Sequence, residues 1–138
     1  SCTLLLTIQS YYGEEYSVVL EPNTYVLDQA PIRQGDSIIA FYDTTAPMPL
    51  IYPPRYTAVV IVKPASGQYA ALDTFDRNLR NSDNTLVLNR SSRTNVRTQN
   101  GQIYTGRLGN QLMLVLYSVT TRSIPAQTTP EEITVFCS

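Results

Sequence analysis

Short apolar runs recur along this chain at regular intervals, and residues that favour turns close each run. Runs rich in Val, Leu, Tyr and Thr, bounded by Gly, Pro, Asn or Asp, are typical of β-strands. Helical periodicity is confined to residues 74–84, where Phe75 and Leu79 are four positions apart. The pattern predicts an all-β protein with five strands in each half, at residues 4–9, 16–20, 24–27, 37–42, 56–62, 69–75, 85–89, 94–98, 111–117 and 132–137.

Two stretches, residues 41–62 and 116–137, repeat one order of features. In each stretch an apolar strand ends in a tyrosine, a Thr-rich bend follows, two prolines stand five positions apart, and a second apolar run closes the stretch. Proline cannot donate a hydrogen bond to a β-ladder, so these prolines are expected at bends or sheet edges. The proline pairs are Pro49 with Pro54 and Pro125 with Pro130.

The repeated order indicates a tandem duplication, with residues 1–66 as the first β-unit and residues 67–138 as the second. A further match aligns EPNT, residues 21–24, with NRSS, residues 89–92. A five-stranded unit of this size suits a Greek-key or OB-like barrel. The predicted architecture is therefore either a double barrel or one sandwich that contains all the strands.

Two cysteines, Cys2 and Cys137, stand one residue inside either end of the sequence, without a histidine or a third cysteine to complete a zinc site. Both flank strand-like runs that can pair as neighbours, so the favoured prediction is a disulfide clasp within one chain. A cross-link between copies and two inert thiols are the alternatives. Because disulfides persist in oxidising compartments, the clasp predicts a secreted or cell-surface protein.

The chain contains no histidine, which removes the Ser-His and Cys-His nucleophile systems. Adjacent carboxylates such as Glu14 and Glu15 point to opposite faces of a strand and so do not form a catalytic pair. The Asp- and Asn-rich segment 73–84 lacks the ligand spacing of a calcium loop, and we interpret it as a polar connector between the two β-units. The sequence thus predicts no enzymatic activity, no catalytic residues, no metal site and no cofactor.

The formal net charge is −1, which does not supply the basic face that nucleic acids bind. No apolar run approaches the length that crosses a bilayer. We therefore expect neither nucleic-acid binding nor membrane insertion. Residues 1–69 hold three basic and six acidic side chains, whereas residues 70–138 hold seven and five. This polarity can assist head-to-tail association of copies, but asymmetries of this size often arise by chance, and we favour that interpretation.

The segment PLIYPPRYT, residues 49–57, carries the first group of candidate binding residues, Tyr52, Arg55 and Tyr56. Tyrosines at an exposed bend can stack on a glycan or a peptide, because the ring offers apolar area with a polar tip. The alternative, which the sequence favours, is that these rings pack in the seam between the two β-units.

Arg90, Arg93 and Arg97 form the second group of candidate binding residues. Arginine binds carboxylates and phosphates with two hydrogen bonds, so these side chains suit an anionic ligand or the acidic half of a neighbouring copy. The alternative, which we favour, is an exposed surface of weak ion pairs.

Two functional hypotheses follow from these features. The first is a structural protein of a fibre, coat or matrix, whose copies associate through unpaired strand edges. The second is a non-catalytic binding module for a glycan, a peptide or an anion. Low charge and many β-edges favour self-association.

The segments TTRSIPAQTTP, residues 120–130, and FYD with PPRY, within residues 41–56, resemble small β-domains of secreted or envelope-associated proteins of Gram-positive bacteria. Strands in those domains end in similar TRSIP-Q bends. The resemblance extends over both repeats and implies a location at or outside the cell surface. It implies no catalytic residues.

Overall fold

A computed structural model describes residues 2 to 137 and confirms the predicted all-β class. A three-residue 3-10 turn, Leu27–Gln29, is the only helical element in these residues, and the helix candidate at 74–84 forms turns instead. No helix in the described part of the chain is long and apolar enough to cross a membrane. The strands are β1 (Leu4–Gln9), β2 (Glu15–Leu20), β3 (Tyr25–Val26), β4 (Ile39–Tyr42), β5 (Arg55–Val62), β6 (Tyr69–Phe75), β7 (Leu86–Leu88), β8 (Asn95–Thr98), β9 (Gln111–Tyr117), β10 (Ala126–Thr128) and β11 (Glu132–Phe136).

The chain divides after Lys63 into two compact units, which we call unit 1 and unit 2. The sequence placed this division between residues 66 and 67. Unit 1 holds β1 to β5 and unit 2 holds β6 to β11. The strand β10, which directly follows Pro125, is the one strand that the apolar pattern did not predict.

Unit 1 is organised around β5, whose sequence RYTAVVIV is rich in residues that favour strands. β2 runs parallel to the first part of β5 and β3 runs parallel to its later part, while β4 pairs with β5 in the antiparallel direction. β1 extends the sheet as an antiparallel hairpin with β2. Gly13 closes that hairpin with a φ of 86°, a left-handed conformation that glycine adopts without steric cost.

Unit 2 contains a four-stranded sheet in the order β6-β9-β11-β8 and a short parallel pair, β7 with β10. β9 and β6 are antiparallel, as are β9 and β11, whereas β8 runs parallel to β11. The alternating side chains of these strands enclose one apolar core. Its eight buried members are Phe75, Leu79, Leu86, Leu88, Met113, Val115, Ile133 and Val135.

The parallel strand pairs of unit 1 and unit 2 match one another residue by residue. In unit 1, β2 and β3 both run parallel to β5. In unit 2, β7 runs parallel to β10 and β8 runs parallel to β11, so these two strands together make the pairings that β5 makes alone. The matching opposed pairs are Val18–Tyr56 with Leu88–Thr128, Tyr25–Val60 with Asn95–Glu132, and Val26–Ile61 with Val96–Ile133. β4 in unit 1 and β9 in unit 2 then supply the antiparallel neighbour.

A threonine precedes the third strand of each unit and makes the same hydrogen bond. The Oγ1 of Thr24 donates to the carbonyl of Ala58 over 2.7 Å, and the Oγ1 of Thr94 donates to the carbonyl of Pro130 over 2.7 Å. Both acceptors belong to buried residues. We refer to this bond as the threonine clamp of each unit.

The predicted Greek-key or OB-like barrel is not confirmed. A Greek key is built from antiparallel strands, whereas the last strand of each unit has parallel neighbours. The strand orders of the described residues are open paths rather than closed rings.

The strand pairings of the two units match in a different alignment from the one expected from proline spacing. In the pairing register Pro130 corresponds to Ala58 and not to Pro54. Thr94 corresponds to Thr24, so EPNT, residues 21–24, matches residues 91–94 rather than 89–92. The bends between the strands differ in length, and equal spacing of prolines within them was therefore misleading.

The predicted disulfide clasp is wrong for this structure, since Cys2 and Cys137 are both free and exposed. The clasp required the first and last strands to be neighbours, but β1 pairs with β2 while β11 pairs with β8 and β9. The backbone of Cys137 is held by the side-chain amide of Gln99, which accepts from its N–H over 3.1 Å and donates to its carbonyl over 3.3 Å. A cross-link between copies and two inert thiols stay as predictions.

Candidate functional site

A groove of about 670 Å³ opens on unit 1. Its floor is the apolar face of the sheet, where Val18 and Ala58 are buried with Ile61. Five aromatic residues line it, namely Tyr16, Phe41, Tyr42, Tyr52 and Tyr56. This volume lies within the range of pockets that hold small ligands.

The period-two alternation of two neighbouring strands brings tyrosines to the groove. Tyr16 and Val18 stand on one face of β2, and Tyr56 and Ala58 stand on the same face of β5. Val18 lies directly opposite Tyr56 in the parallel register. The register thus sets the two tyrosines diagonally across adjacent strands.

β4 adds two further aromatic residues beside an irregularity in its pairing with β5. Its register against β5 shifts between Phe41 and Tyr42, which is a β-bulge or a related irregularity. Phe41 pairs with Val60 and Tyr42 pairs with Ala58, so the additional residue, Val59, stands on β5. Both Phe41 and Tyr42 line the groove.

The tyrosine rings meet at angles rather than in a flat stack. The centroids of Tyr16 and Tyr56 are 5.7 Å apart with an interplanar angle of 88°. Tyr42 and Tyr56 are 4.4 Å apart with an angle of 41°. Tyr52 differs from these three because its side chain is 91% exposed at the rim.

The charged residues that line the groove are both acidic, Glu14 and Glu15 at the start of β2. Of the described residues, no lysine or arginine lines it. Arg55 precedes Tyr56 on β5, is exposed, and is not part of the lining. The groove therefore combines apolar rings with negative charge.

The three arginines of the second candidate group belong to unit 2 and are exposed. Arg90 lines a smaller pocket of about 350 Å³, together with Ser91 and Thr94 among others. Arg97 donates to the carbonyl of Gly101 over 3.5 Å. Neither Arg93 nor Arg97 lines that pocket, so the structure does not bring the three side chains to one site.

The Asp- and Asn-rich segment 73–84 lies within unit 2 and begins on β6, so its interpretation as a connector between the units is wrong. Its carboxylates accept hydrogen bonds from residues of the same segment. The carboxylate of Asp76 accepts from the N–H groups of Asn78 and Arg80, over 2.8 and 3.0 Å. That of Asp73 accepts from both the N–H and the hydroxyl of Ser82. No group of three or more His, Cys, Asp or Glu within residues 2–137 is placed to hold a metal ion.

Sequence reasoning found Tyr52 and Tyr56 but missed Tyr16, Phe41 and Tyr42. The signal was the alternation of tyrosine with a small or apolar residue, as in YSV at 16–18 and YTA at 56–58. Such alternation indicates one face of a strand. It does not say which strands lie side by side.

No protein-family model, curated protein or solved structure matches this chain significantly.

Proposed function

We propose that this protein is a non-catalytic binding module that captures its ligand in the groove of unit 1. The observation that carries this proposal is the presence of five aromatic residues, from β2, β4, β5 and the bend before β5, in the lining of one groove. Aromatic rings with a polar tip dominate many recognition surfaces, because they offer large contact area at low entropic cost.

The exposed bend before β5 supports the proposal. Leu50 is fully exposed, and Met48, Ile51 and Tyr52 are exposed beside it. Contiguous exposed apolar side chains mark binding surfaces on soluble proteins. Tyr52 belongs both to this bend and to the groove, so the bend extends the contact area available to a ligand.

The proposal assigns no catalytic role to the groove. The titratable side chains among its lining residues are Glu14, Glu15 and tyrosines. The sequence predicted that Glu14 and Glu15 point to opposite faces of a strand, but Glu14 precedes β2 and both residues line the groove.

The test is a double substitution, Tyr52→Ala with Tyr56→Ala, measured by equilibrium binding to a neutral glucan oligomer, a proline-rich peptide and choline. We expect the best-bound probe to lose affinity by at least about tenfold. Tyr11→Ala is the matched control, because Tyr11 is an exposed tyrosine of unit 1 that is not part of the lining. Unchanged affinity of the double variant for every probe, or no binding of any probe to the native chain, would contradict the proposal.

Self-association is the second candidate function, and the edge of unit 1 favours it. Within the described residues β1 pairs only with β2, so its other edge is open. Leu4 and Leu5 on this edge strand are 54% and 56% exposed. An open edge with apolar side chains is a template for a strand of another chain.

Sedimentation of the native chain and of Leu5→Lys tests this second candidate. A lysine on an edge strand opposes pairing between copies. We expect the native chain to assemble and the variant to remain monomeric. A native chain that sediments as a monomer across the concentration range contradicts self-association.

We also propose that the two units are tandem copies of one ancestral unit. The shared register and the two threonine clamps support this, since unrelated sheets have no reason to repeat both. A secreted or cell-surface location is proposed with it, on the resemblance of the TRSIP-Q bend. Fractionation of the producing cell tests the location, and recovery from the cytosol alone would contradict it.

A further inference from the structure

We propose that the groove of unit 1 selects a compact cationic group, such as a quaternary ammonium or the charged end of a basic side chain. This inference rests on the proposed binding function and names the class of ligand. It is carried by two independent observations, the angles between the tyrosine rings and the sign of the lining charge.

The ring angles favour a compact group over a flat one. Tyr16 and Tyr56 stand at 88° to each other, and Tyr42 is inclined at 41° to Tyr56. A planar ligand or a sugar ring stacks best on a flat platform, which these three rings do not form. At centroid separations of 5.7 and 4.4 Å these rings contact one another, so a cation would bind on the ring faces that remain open to the groove rather than between the rings.

The charge of the lining favours a cation over an anion. Glu14 and Glu15 line the groove beside the rings, and of the described lining residues none is basic. The face of a tyrosine ring is negative because of its quadrupole, so rings and carboxylates attract the same charge. A carboxylate or phosphate ligand would meet repulsion from both.

The rim of the groove supplies a further tyrosine ring, which is exposed. Tyr52 lines the groove from the bend and is 91% exposed, whereas Tyr16 and Tyr56 are half-buried against each other. A cation becomes more strongly attracted to a ring face as water is excluded from the contact. Tyr52 is therefore expected to contribute affinity without contributing to the fold.

The experiment compares choline with 3,3-dimethylbutan-1-ol, which has the same shape with carbon in place of the charged nitrogen. Both are titrated into the full chain by calorimetry, with a neutral glucan oligomer as a third probe. We expect choline to bind about tenfold more tightly than its neutral counterpart. The preference should shrink as salt is raised, because screening weakens attraction to exposed carboxylates.

Substitutions assign the preference to its sources. Glu14→Gln with Glu15→Gln should reduce the choline preference and leave the affinity for the neutral counterpart unchanged. Tyr56→Leu should reduce choline affinity by about tenfold, while Tyr56→Phe, which keeps the ring, should retain most of it. Tyr52→Leu likewise removes an aromatic ring from the groove. Because Tyr52 is exposed, we expect this variant to fold as the native chain does.

The outcomes separate this inference from the proposed function. Equal affinity for choline and its neutral counterpart, or tighter binding of the glucan in a manner that Tyr56→Leu abolishes, overturns the cation inference and leaves the binding module standing. No binding of any of the three probes overturns both. Retention of the choline preference in the double glutamine variant and in both leucine variants removes the groove as its source.

Discussion

Units 1 and 2 share one arrangement of paired strands but fill it differently. In unit 2 the apolar face is closed by a core of eight buried side chains. In unit 1 the corresponding cluster has three, Val18, Ala58 and Ile61, and a groove opens beside it. The backbone pairings therefore define the scaffold, and the side chains at a few positions decide whether it encloses a core or a groove.

Two equivalent positions account for much of the difference. By the shared register, Tyr16 corresponds to Leu86 and Tyr56 corresponds to Thr128. Leu86 and Thr128 are buried in unit 2, whereas the tyrosines of unit 1 are only half-buried. A tyrosine has a polar hydroxyl at the end of an apolar ring, so it favours a site where the hydroxyl remains in contact with solvent.

The largest effect is expected from opening the closed core of unit 2. Met113→Ala should lower the free energy of unfolding by about 2–5 kcal/mol, because it leaves a cavity in a packed interior. Leu112→Ala is the matched control on the same strand, since Leu112 is 42% exposed whereas Met113 is fully buried. Denaturant unfolding measures both variants. Equal costs for the two substitutions would show that unit 2 has no such core.

The threonine clamps test whether the shared register matters energetically in both units. Thr24→Val and Thr94→Val should each cost about 1–3 kcal/mol of unfolding free energy, because a carbonyl of a buried residue loses its donor. Thr24→Ser and Thr94→Ser keep the hydroxyl and should recover most of the loss. A cost in one unit alone would break the equivalence of the two clamps.

Exchanging residues between equivalent positions should convert one kind of unit toward the other. Tyr16→Leu with Tyr56→Thr gives unit 1 the residues that unit 2 carries at these positions. We expect the chain to stay folded and choline affinity to fall by about tenfold or more. Circular dichroism checks the fold and calorimetry the affinity. Full binding by this variant would mean that these rings do not distinguish the units.

A small effect is expected at the loop that closes unit 1. The carboxylate of Asp36 accepts from the Arg33 N–H over 2.7 Å and pairs with Lys63 over 3.0 Å. The Arg33 N–H first, and Lys63 second, hold the pKa of Asp36 below its ordinary value of 3.8. A lowered folded-state pKa stabilises the protein above that ordinary value, and the contribution is lost as pH falls through the lowered one.

NMR titration of the Asp36 carboxyl measures this effect directly. We expect a midpoint below 3.8 in the native chain and a partial return toward 3.8 in Lys63→Met. The return is partial because the backbone donor remains. A midpoint at or above 3.8 in the native chain would contradict the hydrogen bonding described for this loop.

The strands were predictable because their signal is local. The predicted limits of β1, β6 and β9 agree with the structure, and each is an apolar run bounded by turn residues. The parallel pairings of β5 were not predictable, since a parallel neighbour is set by long connections rather than by a tight turn. β10 was not predicted because its sequence, AQT, contains no apolar run.

The groove was predictable only in part, for the same reason. Tyr52 and Tyr56 stood out because they flank prolines in one short segment. Tyr16 and Tyr42 join them through the register of β2 and β4 against β5, including the irregularity at Phe41. Local sequence gives the face on which each ring stands, but the partner strands decide which rings meet.

The most direct test of the central claim, that unit 1 and not unit 2 captures a ligand, is NMR of the full chain with labelled tyrosine rings during a choline titration. Seven of the ten tyrosines lie in unit 1 and three in unit 2, so one titration measures ring signals from both units. We predict that the groove rings shift along one saturating curve, while the rings of unit 2 keep their positions. The groove rings are Tyr16, Tyr42, Tyr52 and Tyr56, and those of unit 2 are Tyr69, Tyr104 and Tyr117. Shifts in unit 2 that equal or exceed those of the groove, or a groove that does not respond, would contradict the account.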